Sequence, residues 1–530
     1  MEKALKMGQV SATGSLKIFI GKSVSTIILA VGTIVLARLI LPADYGLYSI
    51  ALTPVLMISL FQDLGMGSAM TKYIAHLRAR SEDDDLYYII WAGLTFEIST
   101  GIVLSFTSLF LAGFVASTIL HRPISTPLIS IASITVFSTS LLTASQSCFT
   151  GFDRMELSSL TMICQSVVQT TISPMLVLIG YGALGAVLGY TTAFLAAGVV
   201  GIIALYFIFL RKLKRTNKSR SQMLQILRPM LHYGFPLSIS AILGGFMTQF
   251  YGFVIAFFCN DVMIGNYRVA LNFATLLTFF TIPIATVLFP TFAKLDPQNE
   301  PQLLKTIFLS SVKYTTLFLV PATMAVMVLS GPMINTLFGE KWNYAPLFLT
   351  IHSTNYLLTL FGNLSLWSLL AGLGETRMSM KLSFLTLIFG IPLALLLIPT
   401  FGIVGAMFGN LLAGLPSMVW GLHWILKRYN VRADFKSSIK IATGSAVAAL
   451  IAFASLSFVS TTEWMKLTIA GTIFLAIFLF TVPLIGAITQ NDINALRSMF
   501  SGLGFVSKLI NVPISLIEKA LILFHRSAPE

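Results

Sequence analysis

Residues 181–193 read YGALGAVLGYTTA, and residues 401–413 read FGIVGAMFGNLLA. Gly182, Gly185, Ala186, Gly189 and Ala193 recur as Gly402, Gly405, Ala406, Gly409 and Ala413, all at one constant offset. Three further places keep the order and nearly the same offset. GLYSIAL (46–52) answers GNYRVAL (265–271), GFDRM (151–155) answers GETRM (374–378), and TKYIAHL (71–77) loosely answers PTFAKL (290–295). The chain is internally duplicated, and each matched stretch falls at the same point of a six-span unit.

The spans follow from composition. Of the 530 residues, 56% are hydrophobic and only 10% charged, and the mean hydropathy is +0.86. A water-soluble chain this apolar could not hydrate its surface. Apolar runs of about 20 residues recur along nearly the whole length, each long enough to cross a bilayer as a helix that satisfies its own backbone. The reading is an all-α polytopic membrane protein with 14 transmembrane helices. These form two parallel-repeat six-helix lobes around a central cavity, plus two C-terminal spans. An even-numbered repeat starts both copies on the same side of the membrane.

The expected organisation is an N-terminal six-helix lobe over 1–210, a basic cytoplasmic linker over 211–228 and a second lobe over 229–428. Spans 13 and 14 occupy 429–487, and a cytoplasmic amphipathic tail runs over 488–530. Spans two, eight and ten are expected as single helices over 46–72, 262–290 and 345–372. In the tail, Leu496, Met499, Phe500, Leu503 and Val506, then Ile514, Ile517, Leu521 and Phe524, have helical spacing.

Lys and Arg set the orientation. With a cytoplasmic N-terminus, the outer segments hold only Arg38, Arg122, Lys341 and Lys466, and nearly all other basic residues fall inside. Both termini are therefore expected in the cytoplasm, in a cell (plasma or inner) membrane. The net charge of +14 is explained by topology and anionic headgroups, with no call for nucleic acid. Cys148, Cys164 and Cys259 form no metal or disulfide pattern. The acidic run 82–85 reads as a solvated loop.

The stretches ARLILPADYGLYSIA (37–51), LGMGSAMTKYIAH (64–76) and LFPTFAK (288–294) lie on this frame. Together with the two Gly-x-x-Arg-Met loops and the paired glycine-rich helix starts, they resemble the polysaccharide flippases of the multidrug/oligosaccharidyl-lipid/polysaccharide exporter superfamily. The resemblance covers residues 10–487. It implies alternating access and movement of a polyprenyl-phosphate-linked glycan from the cytoplasmic to the outer leaflet, with membrane lipids and glycan-assembly proteins as partners. The lipid II flippase is a relative with the same span count. The multidrug branch usually stops at 12 spans.

Moving such a substrate requires cations for phosphate and polar groups for sugar. Lys22 and Arg268 are the intramembrane cations singled out for phosphate, with snorkelling to the nearest headgroups as the plain alternative. Asn266, Tyr267, Asn272 and Gln249 suit sugar hydroxyls or, equally, interhelical hydrogen bonds. Asp63 and Glu97 read as a structural polar pair, as partners of Lys22, or as the site of a coupling proton or sodium ion. Lys313 is expected to snorkel. The repeated glycines read as a close-packing seam, with a hinge as the alternative. No catalytic, metal-binding or cofactor-binding residues are assigned. Competing readings are a cation-coupled multidrug exporter and, from another class, a membrane glycosyltransferase or ligase.

Overall fold

The computed structural model describes residues 2–80, 83–213, 220–277, 288, 291–432, 435–458, 461–490, 492–494, 497, 515–519 and 521. Several expectations lie outside these: the middle of the basic linker, Glu82, residues 278–287 of the eighth expected span, and most of the tail's amphipathic segments. The described residues are almost entirely helical. Nine stretches among them are long and apolar enough to cross a membrane.

The chain divides into two compact units, one built from residues 1–268 with 394–406, the other from 269–393 with 407–530. The first unit begins with α1 (Glu2–Leu39), α2 (Pro42–Ser59), α3 (Met66–Arg80) and α4 (Asp83–Phe114). It continues through α5 (Thr126–Gly151), α6 (Met155–Leu176), α7 (Gly182–Ile208), α8 (Arg220–Phe258) and the start of α9 (Asp261–Ala274). α1 packs on α6, α6 on α7, α7 on α5 and α5 on α4, while α8 lies against α2, α3 and α4. The second unit holds α10 (Pro301–Phe338), α11 (Ala345–Leu357), α12 (Asn363–Gly372), α14 (Phe435–Phe458) and α15 (Glu463–Leu484). α10, α14 and α15 pack on one another. α13 (Thr376–Tyr429) contributes to both units.

The repeated glycines close helical hairpins. Gly182 has φ 46°, ψ −128°, and Gly402 has φ 59°, ψ −134°, the same backbone state at the two matched positions. That region is nearly closed to residues with a Cβ. α13 is therefore two helices joined at Gly402. Just beyond each turn a glycine admits the preceding helix. A Cβ on Gly185 would lie 2.9 Å from Leu176, one on Gly189 2.2 Å from Ser173, and one on Gly405 1.9 Å from the Leu397 carbonyl oxygen. The seam reading holds for these three. Gly182 and Gly402 make a tight reversal, which neither a seam nor a hinge describes.

Two expected single spans are broken. The stretch 46–72 stops at Ser59 and restarts at Met66, with Leu64 (φ 44°) and Gly65 (φ 81°) in the left-handed region. Asp63 supports the restart, since its Oδ1 accepts the Gly67 N–H at 2.6 Å. The stretch 345–372 breaks at Gly362 (φ 85°).

Lys313 does not snorkel freely. Its Nζ lies 2.6 Å from Asp492 Oδ2, and Asp492 also accepts the Thr489 N–H at 2.8 Å and the Thr489 hydroxyl at 2.7 Å. Ile493, Ile517 and Leu521 join Phe474, Phe478 and Val482 in one apolar cluster. The described parts of the tail thus dock on the second unit's helices.

Candidate functional site

Three groups of polar residues stand out in the first unit. At the N-terminal ends of α2 and α9, repeat-related residues meet reciprocally. A Cβ on Gly46 would fall 1.9 Å from the Asp261 carbonyl oxygen, and one on Gly265 2.0 Å from that of Pro42. Pro42 and Asp261 are separated by the same offset as Gly46 and Gly265, so the crossing is a local two-fold between the copies. Pro42 sits at the helix's first turn, where its missing N–H is harmless.

Arg122, in the α4–α5 connection, fastens this crossing. Its Nε lies 2.6 Å from Asp261 Oδ1, and its Nη2 donates to the Cys259 carbonyl at 2.5 Å. Its Nη1 donates to Leu120 at 3.0 Å and also to Ala256. Both side chains are largely covered. The guanidinium therefore ties the last turn of α8, where carbonyls lack intrahelical partners, to the first residue of α9. In the sequence, Arg122 registers only as an outer-loop charge.

The second group surrounds Arg268, on α9. Tyr48, Tyr190 and Tyr267 lie within its electrostatic reach, and Tyr48 in turn sits against Tyr45 and Tyr190, with ring centroids at 5.7 and 6.3 Å. Arg268 makes no ion pair with a carboxylate among the described residues. Of the other substrate candidates, Tyr267 belongs to this cluster. Asn266 is 1% exposed and its Nδ2 donates to the Val262 carbonyl at 2.9 Å, so this amide proton serves its own helix. Asn272 is exposed, and Gln249 is half-buried on α8. Lys22 is exposed on α1, off the stripe of Gly21, Ser25 and Gly32 that meets α6.

The third group contains Asp63 and Glu97, which lie together as neighbours. Glu97 is fully buried beside Asp63 and Cys148, its carboxyl meets that of Asp63, and among the described residues no N–H or hydroxyl donor reaches its oxygens. Lys22 forms no ion pair with either acid among the described residues, so that expected pairing is absent. Glu97 lies inside the apolar helix that runs from Asp85 to Ile119, counting the π-turn that follows α4.

Beside Asp63 opens a vestibule of about 540 Å³ between α3 and α5, with Tyr233 of α8 at its edge. Lys72 Nζ stands 3.6 Å above the centre of the Tyr233 ring, and Gly65 meets Gly234 backbone to backbone. The composition of LGMGSAMTKYIAH hints at a polar helix face. Nothing in one chain's sequence shows that it faces the hydroxyls of α5.

Fold and sites together define a polytopic helical membrane protein with charged and polar clusters buried among its helices. The sequence profile of the family described as polysaccharide biosynthesis protein matches residues 11–296, more than half of the chain, and the chain belongs to that family. It is 26% identical over 332 residues to the lipopolysaccharide biosynthesis protein WzxC of Escherichia coli (strain K12), covering 60% of this chain and 62% of that protein. It is 21% identical over 254 residues to the "Probable low-salt glycan biosynthesis flippase Agl15" of Haloferax volcanii, covering 48% and 53%. The match thus spans less than two thirds of these relatives' own length. Among solved structures, the lipid II flippase MurJ in an inward closed conformation superposes with a TM-score of 0.68 at 16% identity, covering 88% of this chain and 98% of that one. An inward-facing multidrug resistance MATE family transporter of the MOP superfamily gives 0.63 at 17%, covering 78% and 98%. These two likenesses establish the fold.

Proposed function

We propose that the protein is an alternating-access flippase that moves polyprenyl-linked oligosaccharide from the cytoplasmic to the outer leaflet for glycan assembly. The observation that carries the reading is Arg268, an intramembrane cation with no acidic partner among the described residues, set among tyrosine hydroxyls. A cation there is expensive unless something anionic uses it. A phosphate linking lipid to sugar has the charge and the acceptor oxygens to do so. The relatives' names, which speak of lipopolysaccharide and glycan biosynthesis, support the same class.

In this proposal the chain has 14 spans in two six-helix lobes, with both termini cytoplasmic, as the Lys and Arg distribution favours. The Arg122–Asp261 junction then lies at the outer face and is the outer gate in its closed state. Asp63 and Glu97 are neighbouring carboxyls, one of them buried, and cannot both stay charged without a proton or a cation, so a proton or sodium ion at this pair is the proposed coupling element.

The test is flipping of lipid-linked glycan in proteoliposomes. Arg268→Ala lowers the rate about 10–100-fold, matching the ~1.5–3 kcal/mol of hydrogen bonds to a charged group. Arg268→Lys recovers part of it, since a point charge replaces a fork. Unimpaired flipping by Arg268→Ala would return this arginine to a structural role.

A further inference from the structure

The vestibule beside Asp63 has a hydrogen-bonding polarity that narrows its ligand. The Thr71 hydroxyl donates to the carbonyls of Gly67 at 3.0 Å and Ser147 at 3.1 Å. Thr150 donates to the Gln146 carbonyl at 2.8 Å. The Gln146 side-chain amide donates one N–H to Thr161 Oγ1 at 3.0 Å, which leaves its second N–H and its carbonyl oxygen with spare capacity. Asp63 has Oδ1 committed to Gly67 and its carboxyl also meets that of Glu97. Thr71 and Thr150 have spent their protons and present lone pairs, while Gln146 keeps one N–H and its carbonyl oxygen. Ser68, Thr143 and Ser147 also line the space, and their hydroxyls make no hydrogen bond among the described residues. Lys72, held over Tyr233, is the lining's cation.

The lining carries one carboxylate and one ammonium, so it has no net positive charge to favour phosphate. A bare metal ion needs a tight cage of oxygens. About 540 Å³ is instead the share of roughly eighteen waters at ~30 Å³ each. The lining matches a ligand that presents many hydroxyl donors and some acceptors, which is a saccharide. The position fits as well. The vestibule lies toward the end of α3 and α5 where Arg78 holds Asp153 at 3.1 Å, the basic face taken above as cytoplasmic. On that reading it lies on the side where the sugars of an inner-leaflet glycan are found.

We infer that this vestibule binds sugar residues, with Thr143, Ser147 and Gln146 reading hydroxyls and Lys72 capping the rim. The inference rests on the proposed function for the source of the sugar: a glycan still attached to its lipid in the inner leaflet.

The test uses the full chain in nanodiscs and three probes. These are the lipid-linked glycan pool extracted from the source cells' membranes, the oligosaccharides released from it by mild acid, and the sugar-free polyprenyl phosphate carrier. Thr143→Val with Ser147→Ala weakens binding of the lipid-linked pool and of the released oligosaccharides about tenfold, as loss of two neutral hydrogen bonds implies. It leaves the sugar-free carrier unchanged. Lys72→Gln, at an exposed position, gives the same selectivity and guards against a folding defect in the double variant. Equal loss for the sugar-free carrier, or no loss for any probe, overturns the vestibule as a sugar site. A wild-type chain that binds released oligosaccharide but neither lipid overturns the flippase reading while leaving the sugar site standing.

Discussion

At the scale of single residues, an intramembrane charge is informative only through its partner. Lys22, Arg268, Asp63, Glu97 and Lys313 all stand out in the sequence, because ionisable residues in apolar runs are costly. Their partners do not. Lys313 belongs to Asp492, 179 residues away, and Glu97 meets another acid, Asp63. Burial alone would push the Asp492 carboxyl up. The Lys313 ammonium and the Thr489 hydroxyl and amide outweigh that and hold it below its ordinary value. A depressed folded-state pKa gives stability that is present above the unfolded value and is lost as pH falls through the folded one. Asp492→Asn should therefore lower thermal stability by ~2 kcal/mol at pH 7, with the gap to wild type closing below about pH 4. Unfolding curves of the two proteins at pH 7 and pH 3 check this, and a gap that stayed constant would remove the charge from the account. Glu97→Gln keeps the shape and removes the titrating proton. Its expected outcome is a stably folded protein whose flipping no longer responds to an imposed proton gradient. A variant with the wild-type gradient response would leave Glu97 as packing alone.

At the scale of elements, the doubled glycines were the most legible feature, and their role was only half legible. Spacing exposes a small-residue seam, and Gly185, Gly189 and Gly405 form one. It does not show which glycine of the set has positive φ, because the chain's path sets that. Gly182→Ala and Gly402→Ala should each destabilise by about 1–3 kcal/mol, the strain of a non-glycine residue in that region. Gly113→Ala, whose Cβ would meet nothing nearer than 4.0 Å, is the control. Thermal unfolding in detergent separates the two classes, and equal effects would contradict the turn assignment. The broken helices at Leu64–Gly65 and at Gly362 were missed for a related reason. Hydropathy averages over the length of a whole span and does not register a local break, although Asp63, Gly65 and Gly67 together carry a capping signal. The vestibule was less legible still. Its lining comes from three helices whose facing needs three dimensions.

At the scale of the molecule, the duplication brings one pair of equivalent helix starts together, at the Gly46/Gly265 crossing. Asp261 corresponds to Pro42, so Arg122 has a single acidic site to hold. If this junction is the outer gate, its removal biases the protein toward the open-out state. Asp261→Asn should raise cysteine labelling at introduced sites near Tyr48 and Tyr267 from the outer side while slowing complete turnover. Unchanged labelling would leave the junction as a static brace.

The central claim is transport, and one measurement bears on it most directly. Purified protein is reconstituted in proteoliposomes with lipid-linked glycan from the source cells, and the glycan's exposure to an added, membrane-impermeant lectin is followed over time. The account predicts protein-dependent transfer between leaflets that falls about 10–100-fold in Arg268→Ala. Transfer no faster than in protein-free vesicles, from a preparation that is folded and inserted, would contradict it.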